Sequence, residues 1–338
     1  MIPVFFGLEG PALSANEQRL FGACDPAGYI LFRRNIETPA QVRVLTESLR
    51  ALAENPRLPI LIDQEGGRVA RLGPPHWPVF PPAAVFGEAW GKAPLTAMAA
   101  ARANAQALAV MLADLGISVD CLPLLDVATD DTHEVIGDRS FGRDPLQVAS
   151  LGRATLDGLR AGGVAGVVKH IPGHGRARSD SHLELPTVDA SAAELETDLA
   201  PFKRLADAPM AMTAHILYPA WDPDLCASIS PAVLETIVRD ACGFDGLLMS
   251  DDLGMEALGR QPGCETMAGR AKAVLAAGCD IALHCSGKFA EMAEVADAAG
   301  PIGATAAHRL AAAMAWPSTP EGVLAELAGR RDSLLAAA

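Results

Sequence analysis

The chain of 338 residues has seven cysteines but no Cys-x-x-Cys pair, no excess of basic residues and no internal repeat. The thiols at 24, 121, 226, 242, 264, 279 and 285 are scattered, several inside apolar runs such as AAGCDIALHC. That pattern predicts buried free cysteines in a reducing compartment rather than a disulfide framework. The formal charge of -14 supplies no basic footprint for nucleic acid or an anionic membrane surface, so neither is expected as a partner. No stretch is expected to approach the roughly 20 apolar residues of a membrane span. The opening Met1-Ile-Pro-Val-Phe-Phe-Gly is too short and uncharged for a signal peptide. Disorder is excluded too, since half the residues are apolar. A soluble cytoplasmic protein is the expectation.

What the chain does have is a repeated order of strand, loop and helix. Short β-rich runs occur at Ile2–Gly7, Gly28–Phe32, Leu58–Asp63, Ser118–Asp126, Val164–Ile171, Met210–Ile216, Gly246–Asp251 and Cys279–Cys285. They are almost continuously apolar, as strands buried on both faces must be. Helix starts are legible between them. Thr38-Pro39 with Gln41, Asp144-Pro145 and Ser230-Pro231 combine an N-cap with a first-turn proline; Ser14 with Glu17 and Ser191 with Glu194 form capping boxes. Gly116, Gly162 and Gly243 stand where helices should stop.

Eight strands alternating with helices predict a single (β/α)8 TIM barrel over residues 1–338, with helices from about 303 closing it. A doubly wound sheet would carry a glycine-rich phosphate turn after its first strand, and Gly7-Leu8-Glu9-Gly10-Pro11 is a poor one. The proline-rich but apolar Gly73–Gly87 is expected as an ordered loop on the barrel rim.

A barrel enzyme works at the C-terminal ends of its strands, and there the polar residues gather. Strand 3 runs into Asp63-Gln64-Glu65 and Arg71. After strand 4 come Asp126 and the Asp138-Arg139 pair. Strand 5 leads to Lys169-His170, His174 and Asp180-Ser181-His182. Strand 6 ends at His215, and strand 7 at Asp251-Asp252. Two chemistries are open to such a pocket. Metal-assisted hydrolysis could use His170, His174, His182, His215 and Asp251 as ligands. Against it, strand 1 lacks a His-x-His pair and no His-Glu-x-x-His helix is present. Acetal hydrolysis needs a nucleophilic or stabilising carboxylate, an acid/base and groups that hold hydroxyls. Asp251, His182 and the set Asp63, Arg71, Arg139, Lys169 and His170 could supply these in turn. A binding protein without turnover is a third possibility.

The motifs LIDQEGGRVARL, IGDRSFG, KHIPGHGRARSDSHLELPTVD, MTAHILYP and MSDDLGM, in that order, resemble the family 3 glycoside hydrolases. They are most similar to the single-domain bacterial β-N-acetylglucosaminidases of peptidoglycan recycling. The resemblance runs from about residue 5 to residue 290 and implies a barrel that needs no metal or cofactor. It implies Asp251 as nucleophile, His182 as proton donor and acceptor, and Asp180 as partner of His182. Asp63, Arg71, Arg139, Lys169 and His170 match sugar-binding positions. His174 and Glu65 are read as structural, and Asp252 as pointing elsewhere and capping the following helix. The implied reaction is retaining exo-hydrolysis of terminal N-acetylglucosamine from GlcNAc-1,6-anhydroMurNAc, with or without peptide, through a glycosyl-aspartate. Muropeptide fragments are the implied sugar substrate, and a monomer or weak dimer the implied state. The end of strand 8, Leu283-His284-Cys285, departs from expectation and leaves that pocket wall open.

Overall fold

The structure, a computed structural model, describes residues 1–181 and 183–338. Eight strands close a parallel barrel: β1 (Ile2–Gly7), β2 (Pro26–Leu31), β3 (Ile60–Ile62), β4 (Val119–Asp120), β5 (Ala165–Ile171), β6 (Met210–Thr213), β7 (Leu247–Asp252) and β8 (Ile281–His284). Each strand pairs with the next, and β8 pairs with β1 in the register Phe5 with Leu283. The predicted TIM barrel is therefore the observed fold.

The strand interiors fill rather than line a pore. Phe5, Ile30, Leu61, Val119, Val167, Met210, Leu247 and Ile281 form one buried cluster inside the ring. A larger cluster joins the outer faces of the strands to the helices. This two-sided burial is why the strands read as unbroken apolar runs.

The helix signals act as their chemistry requires. Ser14 and Ser191 each form a complete capping box with Glu17 and Glu194. Asp144 caps the helix Pro145–Ala161, which stops at Gly162. Thr38 also caps its helix, but Gln41 turns aside to accept from the Glu37 N–H, so that box stays open.

Three expectations need correction. Strand β4 is two residues long, not nine: the Leu122 N–H turns back to the Asp120 carbonyl at 2.8 Å and Pro123 has no N–H to give, so the regular ladder is interrupted. The remainder stays alongside β5 through the Val167 N–H to Leu122, the Lys169 N–H to Pro123 and the Leu125 N–H to Lys169. The 73–87 segment does not stay a loop: it packs Trp77 and Phe80 into the core and enters a helix at Ala83–Trp90. Finally, Pro94–Asp114 is long and apolar enough to cross a membrane by length and composition alone. Its alanines pack against neighbouring helices, and 61% of its apolar window is buried within the fold.

All seven cysteines are free thiols, five of them buried. Beyond residue 303 two helices, Ala304–Ala315 and Leu324–Ala337, complete the chain.

Candidate active site

At the C-terminal mouth of the barrel lies a cavity of about 330 Å³. Its wall includes Asp63, Arg71, Arg139, Lys169, His170, Asp180 and Asp251, which come from β3, β4, β5 and β7 and the loops that follow them. His182 lies outside the described residues.

The floor is an ionic network. Lys169, at the end of β5 and 2% exposed, places its Nζ 3.1 Å from Asp63 Oδ1 and 2.7 Å from Glu65 Oε1. Asp63 Oδ2 accepts from Arg71 at 3.0 Å. Glu65 takes Nε and Nη2 of Arg139 in a bidentate pair at 2.8 Å. Burial alone would neutralise these groups. For Asp63, the charges of Lys169 and Arg71 outweigh it and hold the carboxyl far below its usual range. Glu65 is lowered against burial by Lys169 and Arg139, and Lys169 is raised against burial by Glu65 and Asp63. Asp63, Glu65 and Lys169 thus stay charged despite their burial.

Local chemistry sets this network. Asp63 follows β3 directly. A short hairpin, Gln64–Gly66 with Val69–Ala70, turns the chain so that Arg71 comes back beside Asp63. Gln64 staples the turn: its Oε1 accepts from the Arg71 and Leu72 N–H groups. Gly66 has a φ of 97°, and a Cβ there would sit 2.3 Å from the Pro81 carbonyl oxygen. Arg68 ties the hairpin to the loop carrying Arg139, pairing with Asp138 at 2.8 Å.

Asp126 organises the second wall. It is fully buried, its Oδ1 accepts from the His170 and His174 N–H groups at 3.1 and 2.6 Å, and its Oδ2 meets His170 Nδ1 at 2.8 Å. Burial opposes its ionisation, yet these histidine contacts hold its pKa at about 2. A carboxylate only accepts, so His170 carries a proton on Nδ1. The following turn is pinned by Tyr218 donating to the Gly173 carbonyl at 2.7 Å and Thr132 donating to that of Gly175 at 2.6 Å. His174 is buried, and its Nε2 lies 3.2 Å from Ser181 Oγ. Burial and the neighbouring His170 lower its pKa to about 4.

The third wall is the end of β7. Asp251 Oδ1 accepts from the Asp252 N–H at 2.8 Å. Asp252 caps the turn that follows, accepting from Gly254 at 3.0 Å, and also takes the Cys285 N–H at 2.9 Å; it lines the cavity as well. The wall at β8 is now clear. Leu283 and Cys285 face the cavity, while buried His284 packs on Phe6 and reaches Glu291 at 3.2 Å.

Of the histidines named as metal ligands, His170 bonds Asp126 through Nδ1, His174 bonds Ser181 through Nε2, and His215 has both ring nitrogens engaged, by Ser228 and the Asp252 carbonyl. Among the described residues no group of three or more His, Cys, Asp or Glu is arranged to hold a metal ion. Glu65 and His174, read as structural, do hold neighbours in place, and both also face the cavity. Sequence reasoning missed Phe32, whose ring sits beneath the guanidinium groups of Arg34 and Arg71 at 4.9 and 5.2 Å. It also missed Asp126 as the hub of the histidine loop. An isolated acidic residue after an apolar strand was the only available signal for it.

Residues 12–313 match the Glycosyl hydrolase family 3 N terminal domain. The chain belongs to glycoside hydrolase family 3. Among curated members of the family, the β-hexosaminidase of Chromobacterium violaceum is 42% identical over 287 residues, covering 84% of this chain and 78% of the relative. The β-hexosaminidase of Thioalkalivibrio sulfidiphilus is 40% identical over 289 residues, covering 84% and 80%. Among solved structures, NagZ from Neisseria gonorrhoeae in complex with N-trifluoroacetyl-D-glucosamine superposes with a TM-score of 0.87 at 33% identity. It covers 99% of this chain and 97% of that one. This family 3 chain is a glycoside hydrolase of the β-N-acetylhexosaminidase class, and a sugar is its substrate.

Proposed function

We propose that the chain is a retaining exo-β-N-acetylglucosaminidase that removes terminal, non-reducing N-acetylglucosamine from peptidoglycan fragments. The substrate is GlcNAc-1,6-anhydroMurNAc with or without its peptide, and the enzyme works in the cytoplasm as part of cell-wall recycling. The observation that carries the reading is the position of Asp251. Its carboxylate stands at the end of a barrel strand, in a cavity whose floor is the charged set Asp63, Arg71, Lys169, Glu65 and Arg139.

In this reading Asp63, Arg71, Arg139, Lys169 and His170 hold the hydroxyl and acetamido groups of the terminal sugar. Fixed donors and acceptors of both signs in a dry floor suit a polyhydroxylated ring, since each hydroxyl both donates and accepts. Asp251 attacks the anomeric carbon while His182 gives its proton to the departing oxygen, so the carbon–oxygen bond to the leaving group breaks as a glycosyl ester forms. Water then gives a proton to His182 and its oxygen displaces the Asp251 carboxylate, restoring the β-configuration. Asp180 is the partner that orients His182.

The test is chromophore release from 4-nitrophenyl N-acetyl-β-D-glucosaminide in the presence of EDTA, by wild type and Asp251→Ala. Turnover that the variant loses, with mass-spectrometric capture of a glycosyl adduct on Asp251, is the expected result. Folded wild type without turnover, or an active variant, refutes the assignment. Release of N-acetylglucosamine from the anhydro disaccharide tests the natural substrate separately.

A further inference from the structure

His215 has no part in the reaction just described, yet it is completely buried beside the end of β7 with both ring nitrogens engaged. Its Nε2 lies 3.1 Å from the Asp252 carbonyl oxygen. A carbonyl can only accept, so Nε2 carries the proton. Burial lowers the affinity of the ring for a second proton, which leaves Nδ1 bare to accept from the Ser228 hydroxyl at 2.6 Å. The Asp252 carbonyl therefore sets the tautomer, and Ser228 holds the ring plane from the other side.

We propose that His215 is a positioning residue for the nucleophile: it clamps Asp252 so that the Asp252 N–H stays aimed at Asp251 Oδ1. The proposal rests on the reading of Asp251 as nucleophile. Residue 252 is held at its carbonyl by His215 and by the Met255 N–H at 3.1 Å, and at its carboxylate by Gly254 and Cys285. With those groups fixed, its N–H meets Asp251 Oδ1 at 2.8 Å.

One charge-assisted donor on one carboxylate oxygen has two consequences. It helps select the Asp251 side-chain rotamer. It also makes the carboxylate a weaker base and so a better leaving group when water arrives. A buried polar ring in an otherwise apolar layer is costly unless each nitrogen is paired, and here each pairing serves the backbone behind the nucleophile.

The experiment compares His215→Leu, His215→Gln, Ser228→Ala and Asp251→Asn on the 4-nitrophenyl substrate, with thermal melts of each. His215→Leu is expected to lower kcat about 10- to 100-fold, with KM changed by less than about twofold, because a small misplacement of an attacking group acts on the chemical step. His215→Gln, whose amide can still donate to the Asp252 carbonyl, recovers at least about fivefold of that loss, and Ser228→Ala loses about threefold in kcat at unchanged KM. If His215→Leu keeps wild-type kcat while Asp251→Asn is dead, the clamp is wrong and the nucleophile survives. If Asp251→Asn turns over normally, the nucleophile reading falls and the clamp with it. Equal losses in His215→Leu and His215→Gln that follow only the lowered melting temperature also overturn the clamp, with Ser228→Ala then at wild-type kcat.

Discussion

Replacing Lys169 by methionine tests the ionic floor most directly. The side chain is 2% exposed and bridges Asp63 and Glu65 at 3.1 and 2.7 Å. Methionine fills much of the same volume but brings no charge, so the two carboxylates face each other with one arginine each. Removing one member of a buried ion pair costs about 3 to 5 kcal/mol, and the remaining arginines favour the lower end, about 3 kcal/mol. A chain of 338 residues has an unfolding entropy of about 0.7 kcal/mol/K, so the melting temperature should fall by about 4 °C at pH 7.

The pH dependence is the sharper test. Asp63 and Glu65 are both held below their ordinary pKa, so they stabilise the fold above the unfolded carboxylate range, and that contribution fades as pH falls. Without Lys169 both carboxyls take up protons more readily in the folded state. The gap between wild type and Lys169→Met should therefore narrow from pH 7 to pH 4.5. Calorimetry of both proteins across that range measures it. A melting temperature unchanged at pH 7, or a gap that widens in acid, refutes the argument.

Two further outcomes follow from the geometry. His174 titrates at about 4 in the fold against 6.5 in the unfolded chain, so it stabilises fully above pH 6.5 and loses that contribution as pH falls towards 4. His174→Gln should lack about 2 kcal/mol of the stability that wild type loses between pH 7 and pH 5, and melts at both pH values will show whether the curves converge. Gly175→Ala would place a Cβ 1.8 Å from the Val127 carbonyl oxygen. The turn must then shift, with a loss of at least about 2 kcal/mol and a lower kcat/KM; a variant that melts and turns over like wild type removes the role given to that close approach.

Much of the barrel could be read in advance because parallel strands covered on both faces are apolar throughout, and capping serines and aspartates are local signals. Strand β4 was overestimated for a reason of the same kind: Leu124 and Leu125 continue the apolar run, but the Leu122 N–H turns back to Asp120 and Pro123 has no N–H, so the regular ladder is interrupted. Helix Pro94–Asp114 was underestimated: it reaches membrane-span length and apolarity, and only its packing shows it as an alanine-rich helix largely buried in the fold. In the cavity, Asp63, Lys169 and Asp251 were legible because each ends a strand.

The partners of those groups were not legible. Glu65 and Arg139 lie 74 positions apart, and Asp126 and His170 lie 44 apart. Nothing local joins such pairs, and an ion pair or hydrogen bond falls off within a few ångströms. His215 shows the limit most clearly: from the sequence it was read only as a possible metal ligand, and its bonds to Ser228 and the Asp252 carbonyl were not legible. The sequence by itself determined the alternation of elements, their caps and which ends of the strands carry charge, because these follow from short-range periodicity and backbone chemistry. Only the closed barrel decided which charges meet, which histidine nitrogens are taken and which stay neutral, because burial and proximity across the ring set those energies.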